Sequence, residues 1–161
     1  MAGGVPLNER LARIAAGAEA CRGIESELWR AGSAELEQVM GHVDAMVVAG
    51  ESARVVVTTE AMSRGETGSG PDALTPVAWV RRHAPSTVAG GAGQVVSVAQ
   101  AFAVAGNAPV KDAVLSGVLP VRSAAVVVSE ADGVERPGTG PPTLFGPLVV
   151  APGVAEVPAP L

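Results

Sequence analysis

Apolar side chains recur through the first half of the chain at three- and four-residue intervals, the spacing that gathers them on one face of an α-helix. Leu7, Leu11, Ile14, Ala18 and Cys21 mark the first such stretch, which is expected to run to about Glu27 with Gly17 and Gly23 as weak points. Ser33 is the expected N-cap of a second helix, with Glu35 and Glu37 placed against the positive end of its dipole. Within it Leu36, Val43, Gly50 and Val57 repeat every seven residues, as do Val39, Met46 and Ala53. A helix from Ser33 to Arg64 would be roughly 48 Å long at ~1.5 Å per residue. The small Gly50 and Ala53 would let a neighbouring helix come close. The run Val55–Thr59 is β-branched and also suits a strand. No partner strand is legible nearby, so helix is the expectation.

Residues 65–72 (Gly-Glu-Thr-Gly-Ser-Gly-Pro-Asp) read as a flexible break. Thr75 followed by Pro76 predicts a helix start, a capping hydroxyl with proline in the first turn, and the helix should end before Pro85. Ser86 is then expected to cap a helix whose apolar positions are Val88, Ala92, Val95, Ala99 and Phe102. Gly106–Pro109 is a turn, Val110–Ser116 a short helix stopped by Gly117, and Pro120 opens a last helix to about Ala131. No Asp, Glu, Lys or Arg lies between His83 and Val110. Prolines, glycines and glutamines interrupt that stretch, and its apolar run is far short of the ~20 residues a membrane span needs, so it reads as a buried helix. From Gly133 no period survives, and twelve of the last 29 residues are Gly or Pro. Such a composition does not repay its ordering entropy. The expectation is therefore an all-α helical bundle over residues 1–132, with one long helix and a helix-turn-helix-like C-terminal hairpin, followed by a disordered Pro/Gly-rich tail over 133–161.

Composition sharpens this picture. The chain has 161 residues, enough for one domain, and 48% of them are apolar, but only 2% are aromatic and Tyr is absent. A core of Ala, Val, Leu and Met buries less area per residue than an aromatic one. Limited stability follows, or support from a partner or a second copy. The net charge of −5 is unevenly spread. Residues 1–72 carry six basic and eleven acidic groups, whereas residues 73–128 carry Arg81, Arg82, Lys111 and Arg122 against the single acid Asp112. That positive stretch is the part suited to phosphate, although strong nucleic-acid binders show a denser basic stripe. Cys21 is the only cysteine, which excludes an intrachain disulfide and fits a reducing compartment. The first residues lack a basic start and apolar run, so no signal peptide is legible and a cytoplasmic location is expected.

Catalytic chemistry finds little to use. Metal-assisted hydrolysis needs several convergent ligands, yet His42 and His83 are far apart in sequence and Asp44 sits two residues from His42, on another side of the helix. Cys21 has no base beside it, and no Gly-x-Ser-x-Gly is present. Gly90–Gly93 lacks the strand and the Lys-Ser/Thr pair of a phosphate loop, so close helix packing is its expected purpose. Glu35/Glu37 and Glu25/Glu27 lie in solvated acidic stretches. The expectation is a protein without catalytic residues, cofactor, metal or small-molecule ligand. Ala113 and Gly117, four apart, permit a tight helix crossing, and the following helix would present Arg122 and Ser123 near its start, where base or phosphate contacts are usually made. A hairpin that merely packs is the plainer alternative.

The Trp-bearing helix Pro76–Val80, the Ser-started helix with Ala92, Val95, Val96 and Ala99, and the segment Leu115–Ala124 followed by Val127 form a recognisable series. Together they resemble the N-terminal domain of unknown function of actinobacterial HNH endonuclease-like proteins, the thirteen-E-twelve repeat family. The long helix from Ser33 matches the helical region that precedes these elements there, so the resemblance spans about Ser33 to Asp132. Family members continue into an HNH module with clustered histidines and cysteine pairs, where this chain has its Pro/Gly-rich tail. Their Ser-started helix usually exposes several arginines, where this one has Gly93, Gln94, Ser97 and Gln100. The resemblance implies a non-catalytic accessory module without the nuclease, binding DNA weakly through Arg81, Arg82, Lys111 and Arg122. The alternatives are a protein-interaction or self-association module using Leu36, Val43, Gly50 and Val57, or a truncated family remnant without independent activity.

Overall fold

In the computed structural model, which describes residues 4–68 and 73–134, the chain is helical throughout its elements. They are α1 (Leu7–Arg22), α2 (Glu25–Leu28), α3 (Ser33–Ser63), α4 (Pro76–His83), α5 (Gly91–Ala101), α6 (Ala108–Leu115) and α7 (Val121–Val134). Single 3-10 turns at Pro85–Thr87 and Ala105–Asn107 link α4 to α5 and α5 to α6. Among the described residues there is no strand. The predicted break at 65–72 is described as far as Gly68, and the predicted tail lies outside the described residues beyond Val134, with Gly133 and Val134 belonging to α7.

The charge-free stretch becomes the centre of the bundle. Ala92, Val95, Val96, Val98, Ala99 and Ala101 of α5 are all buried, and the helix packs against α3, α4 and α7. A helix apolar on most sides is stable only when neighbours cover it on most sides. Val121, Ala124 and Val128 of α7 and Val114 of α6 close the core. The largest fully buried side chains are Val55, Val98, Val114 and Thr58. No large aliphatic or aromatic group sits at the centre, as the composition implied. Fully burying one valine stabilises by ~1.5 kcal/mol or somewhat more.

Helix α3 runs as predicted, and the β-branched segment within it is helical. Thr58 Oγ1 donates to the Arg54 carbonyl at 2.7 Å and Thr59 Oγ1 to the Val55 carbonyl at 2.9 Å. The two hydroxyls thus find partners inside the helix itself. Ser52 Oγ donates across to the Val114 carbonyl at 2.8 Å, tying α3 to the end of α6. Among the described residues no buried side-chain nitrogen or oxygen lacks a partner.

Four local expectations need correction. The N-cap of α3 is Gly32, not Ser33: no hydroxyl caps the first free N–H groups of the helix, and Glu35 Oε2 instead accepts from the Gly32 N–H at 2.8 Å. Ser86 does not start α5. It lies in the 3-10 turn, and α5 begins at Gly91 after Gly90 adopts φ +118, a left-handed conformation that ends the preceding turn and favours glycine. Val88 therefore falls outside the helix and is exposed. The glycine run serves that turn and not close helix packing, since a Cβ at Gly93 would meet open space and one at Gly91 only ordinary contacts. The first helix ends at Arg22, where Gly23 interrupts it, and α2 follows as a separate turn. By contrast, Thr75 Oγ1 accepts from the Ala78 N–H at 3.2 Å with Pro76 in the first turn, as predicted.

Candidate interaction groove

Helix α3 has two apolar faces. One, through Ser52, Val55, Thr58 and Ala61, is buried in the core. The other, seen in the sequence as heptad spacing, turns away from it. Nothing in α1 or α2 is buried, and no residue of α3 before Ser52 is. Half of the long helix is therefore without a buried side chain. Gly17 of α1 brings the two helices close, since a Cβ there would stand 3.0 Å from Met46 Cε, and Cys21 Sγ lies 4.0 Å from Met46 Sδ.

Between α1, the middle of α3 and α4 the chain leaves an open cavity of about 830 Å³. Ile14 and Gly17 form one wall, Trp79, Val80 and His83 the other, and Ala49, Gly50, Ala53 and Val57 the floor. The small floor residues make the groove deep, and a Cβ added at Gly50 would meet nothing within 4 Å. The α4 wall is held in place by its own contacts. Trp79 packs against the core, its ring centroid lies 4.5 Å from that of His83, and His83 Nδ1 donates to the Trp79 carbonyl at 2.9 Å. The charged and titratable groups on the lining are Arg13, Arg54 and His83, with no acid among them. Arg13 pairs with Glu9 on its own helix, and Arg54 Nη2 donates to Ser86 Oγ at 3.0 Å. The groove is thus apolar within and basic at its edge.

The four predicted nucleic-acid residues stand on three helices, α4, α6 and α7. Arg81 and Arg82 are exposed on the last turn of α4 and line neither cavity. Arg122 lines a second cavity of about 120 Å³ together with Glu51, Arg54, Ser86 and Gln94, near the start of α5. Lys111 sits at the other end of α5, its Nζ 5.8 Å from the Phe102 ring centroid. The helix between them is ~16 Å long at ~1.5 Å per residue. In the α6–α7 hairpin Gly117 has φ +77, and a Cβ there would lie 3.2 Å from Val48 Cγ1, so the glycine serves both the turn and the approach of α3. Ser123 is exposed on α7. His42 and His83 lie on different helices, and no group of three or more potential metal ligands occurs among the described residues. No helix among the described residues is long and apolar enough to cross a membrane.

The sequence singled out Gly50 and Ala53 as places for a close helix neighbour and Val57 as part of a self-association stripe; within the fold Gly50 has open space instead, all three line the groove, and its walls were not legible. The α4 wall is brought to α3 only by the fold, and Trp79 and His83 carry no periodic signal that links them to it. Arg54 had a local clue, since it follows Val43, Val47 and Gly50 at alternating four- and three-residue steps. Comparison with known proteins adds no relative: no family model, no curated protein and no solved structure matches the chain.

Proposed function

We propose that this protein is a non-catalytic helical interaction module that receives an apolar, acid-flanked helix of a protein in the groove between α1, α3 and α4. This is the accessory role implied by the resemblance to the HNH endonuclease-associated domain, placed on a protein surface instead of on DNA. The observation that carries it is the 830 Å³ apolar groove whose lining charges are all basic. Helix-in-groove recognition uses this combination, an apolar floor for anchors three and four residues apart and a charged edge for orientation. DNA binding is the second reading, and the exposed Arg81–Arg82 pair is what favours it.

Trp79 provides the test, because only two tryptophans are present and Trp29 is exposed and does not line the groove. In a Trp29→Phe protein, titration with an amphipathic helical peptide bearing glutamates beside its apolar face is expected to give a saturable shift in Trp79 emission. The same peptide with lysines in place of the glutamates should bind at least about tenfold more weakly. A Gly50→Leu substitution, which fills the floor, should remove the response. No saturable change with either peptide would refute the reading.

A further inference from the structure

Along α3 the residues Leu36, Met40, Val43, Val47, Gly50, Arg54 and Val57 follow one another at alternating steps of four and three, a single continuous stripe. Its two ends differ in character. The first half is apolar and open to solvent, with Leu36 46%, Met40 69% and Val47 54% exposed. It is flanked by Glu37, Asp44 and Glu51, and α3 carries no Lys or Arg before Arg54. The second half, through Gly50, Arg54 and Val57, forms part of the groove. One half of the stripe thus has the chemistry that the other half's groove would accept: apolar anchors with acids beside them, facing an apolar floor with Arg13, Arg54 and His83 at its edge.

We infer that the occupant of the groove is a second copy of this chain, its α3 lying antiparallel along the same stripe about a two-fold axis at Val47. The inference rests on the groove reading above and names its partner. In this register Val47 meets its counterpart, Val43 faces Gly50 of the second copy, Met40 faces Arg54 and Leu36 faces Val57. The larger side chain of the exposed half meets a smaller or flexible one in the groove, and the open space over Gly50 is where Val43 fits. Glu37 and Asp44, one turn to either side of Met40, come beside Arg54, Asp44 also coming near Glu51 of the second copy, and each copy supplies both halves, so the arrangement closes on itself as an isologous pair.

Full-length protein tests this directly. In a Cys21→Ser background, Val47→Cys is expected to form a disulfide-linked dimer under mild oxidation. Met40→Cys is not, because antiparallel copies separate those positions by about 21 Å, fourteen residues at ~1.5 Å, whereas a parallel pair would link both. Sedimentation equilibrium should show a monomer–dimer equilibrium that Arg54→Glu weakens at least about tenfold, and that adding Glu37→Arg and Asp44→Arg largely restores. Linking at Met40, or no restoration by the reversed charges, would overturn the antiparallel register. A strict monomer at high concentration would overturn self-pairing altogether. If that monomer still gives the Trp79 response to an acidic peptide, the groove reading survives and only the identity of its occupant falls; if it gives none, both fall.

Discussion

At single positions the fold is decided by small groups. Gly117 is the sharpest case. Its φ of +77 lies where an L side chain costs about 1–2 kcal/mol, and a Cβ would press on Val48 at 3.2 Å. Gly117→Ala should therefore lower stability by roughly 1–3 kcal/mol in urea unfolding. A change below a few tenths would show that the turn relaxes freely. Ser52 is a second such point. Its hydroxyl bridges α3 to the Val114 carbonyl, which also accepts from the Gly117 N–H, so removal leaves no orphaned acceptor. Ser52→Ala should cost only about 1 kcal/mol, and a much larger loss would mean that the bridge sets the position of α6. The sequence made Gly117 legible as a stop, because glycine after a helical run is a local signal. Ser52 was not legible, because its partner is 62 residues away.

Among elements, the sequence predicted those whose signals are local. Thr75-Pro76 set the start of α4, and the uninterrupted periodicity of Ser33–Ser63 set α3. It misplaced the start of α5, since Ser86 is of a capping residue type and only the left-handed turn at Gly90 fixes where the helix begins. It also identified α3's stripe without revealing which face the core would take. The stripe at Leu36, Val43, Gly50 and Val57 and the face at Ser52, Val55, Thr58 and Ala61 are both apolar enough to be buried. The choice was made by α5, whose lack of charge let it be covered on several sides, and α3 gave it Val55. One consequence is measurable in the exposed half of α3, where a Cβ at Gly41 would touch nothing. Gly41→Ala should raise thermal stability by about 1 kcal/mol through helix propensity alone, with no effect on association. A loss of stability there would mean that the helix is bent or covered at this point.

For the molecule as a whole, the question of partners turns on where charge collects. Sequence order placed four cations in one positive stretch, but the fold distributes them over the end of α4, the start of α7 and α6. Linear neighbourhood is a poor guide to surface neighbourhood once helices pack against each other. Any DNA affinity should therefore depend on Arg81 and Arg82 together, with a shallow salt dependence of about two counterions. Gel-shift titrations across salt concentrations check this. A steep dependence, or a shift unchanged by Arg81→Ala with Arg82→Ala, would place nucleic-acid contact elsewhere on the molecule.

The unequal support of α3 has one more effect. Its second half is locked to a valine core, while its first half carries no buried residue. The latter opens at lower free energy than the former, as segments with few buried contacts do. If the two copies pair as proposed, warming should then erase the pairing before it erases the fold, and the protein would pass through a state that is still structured yet blind to its second copy.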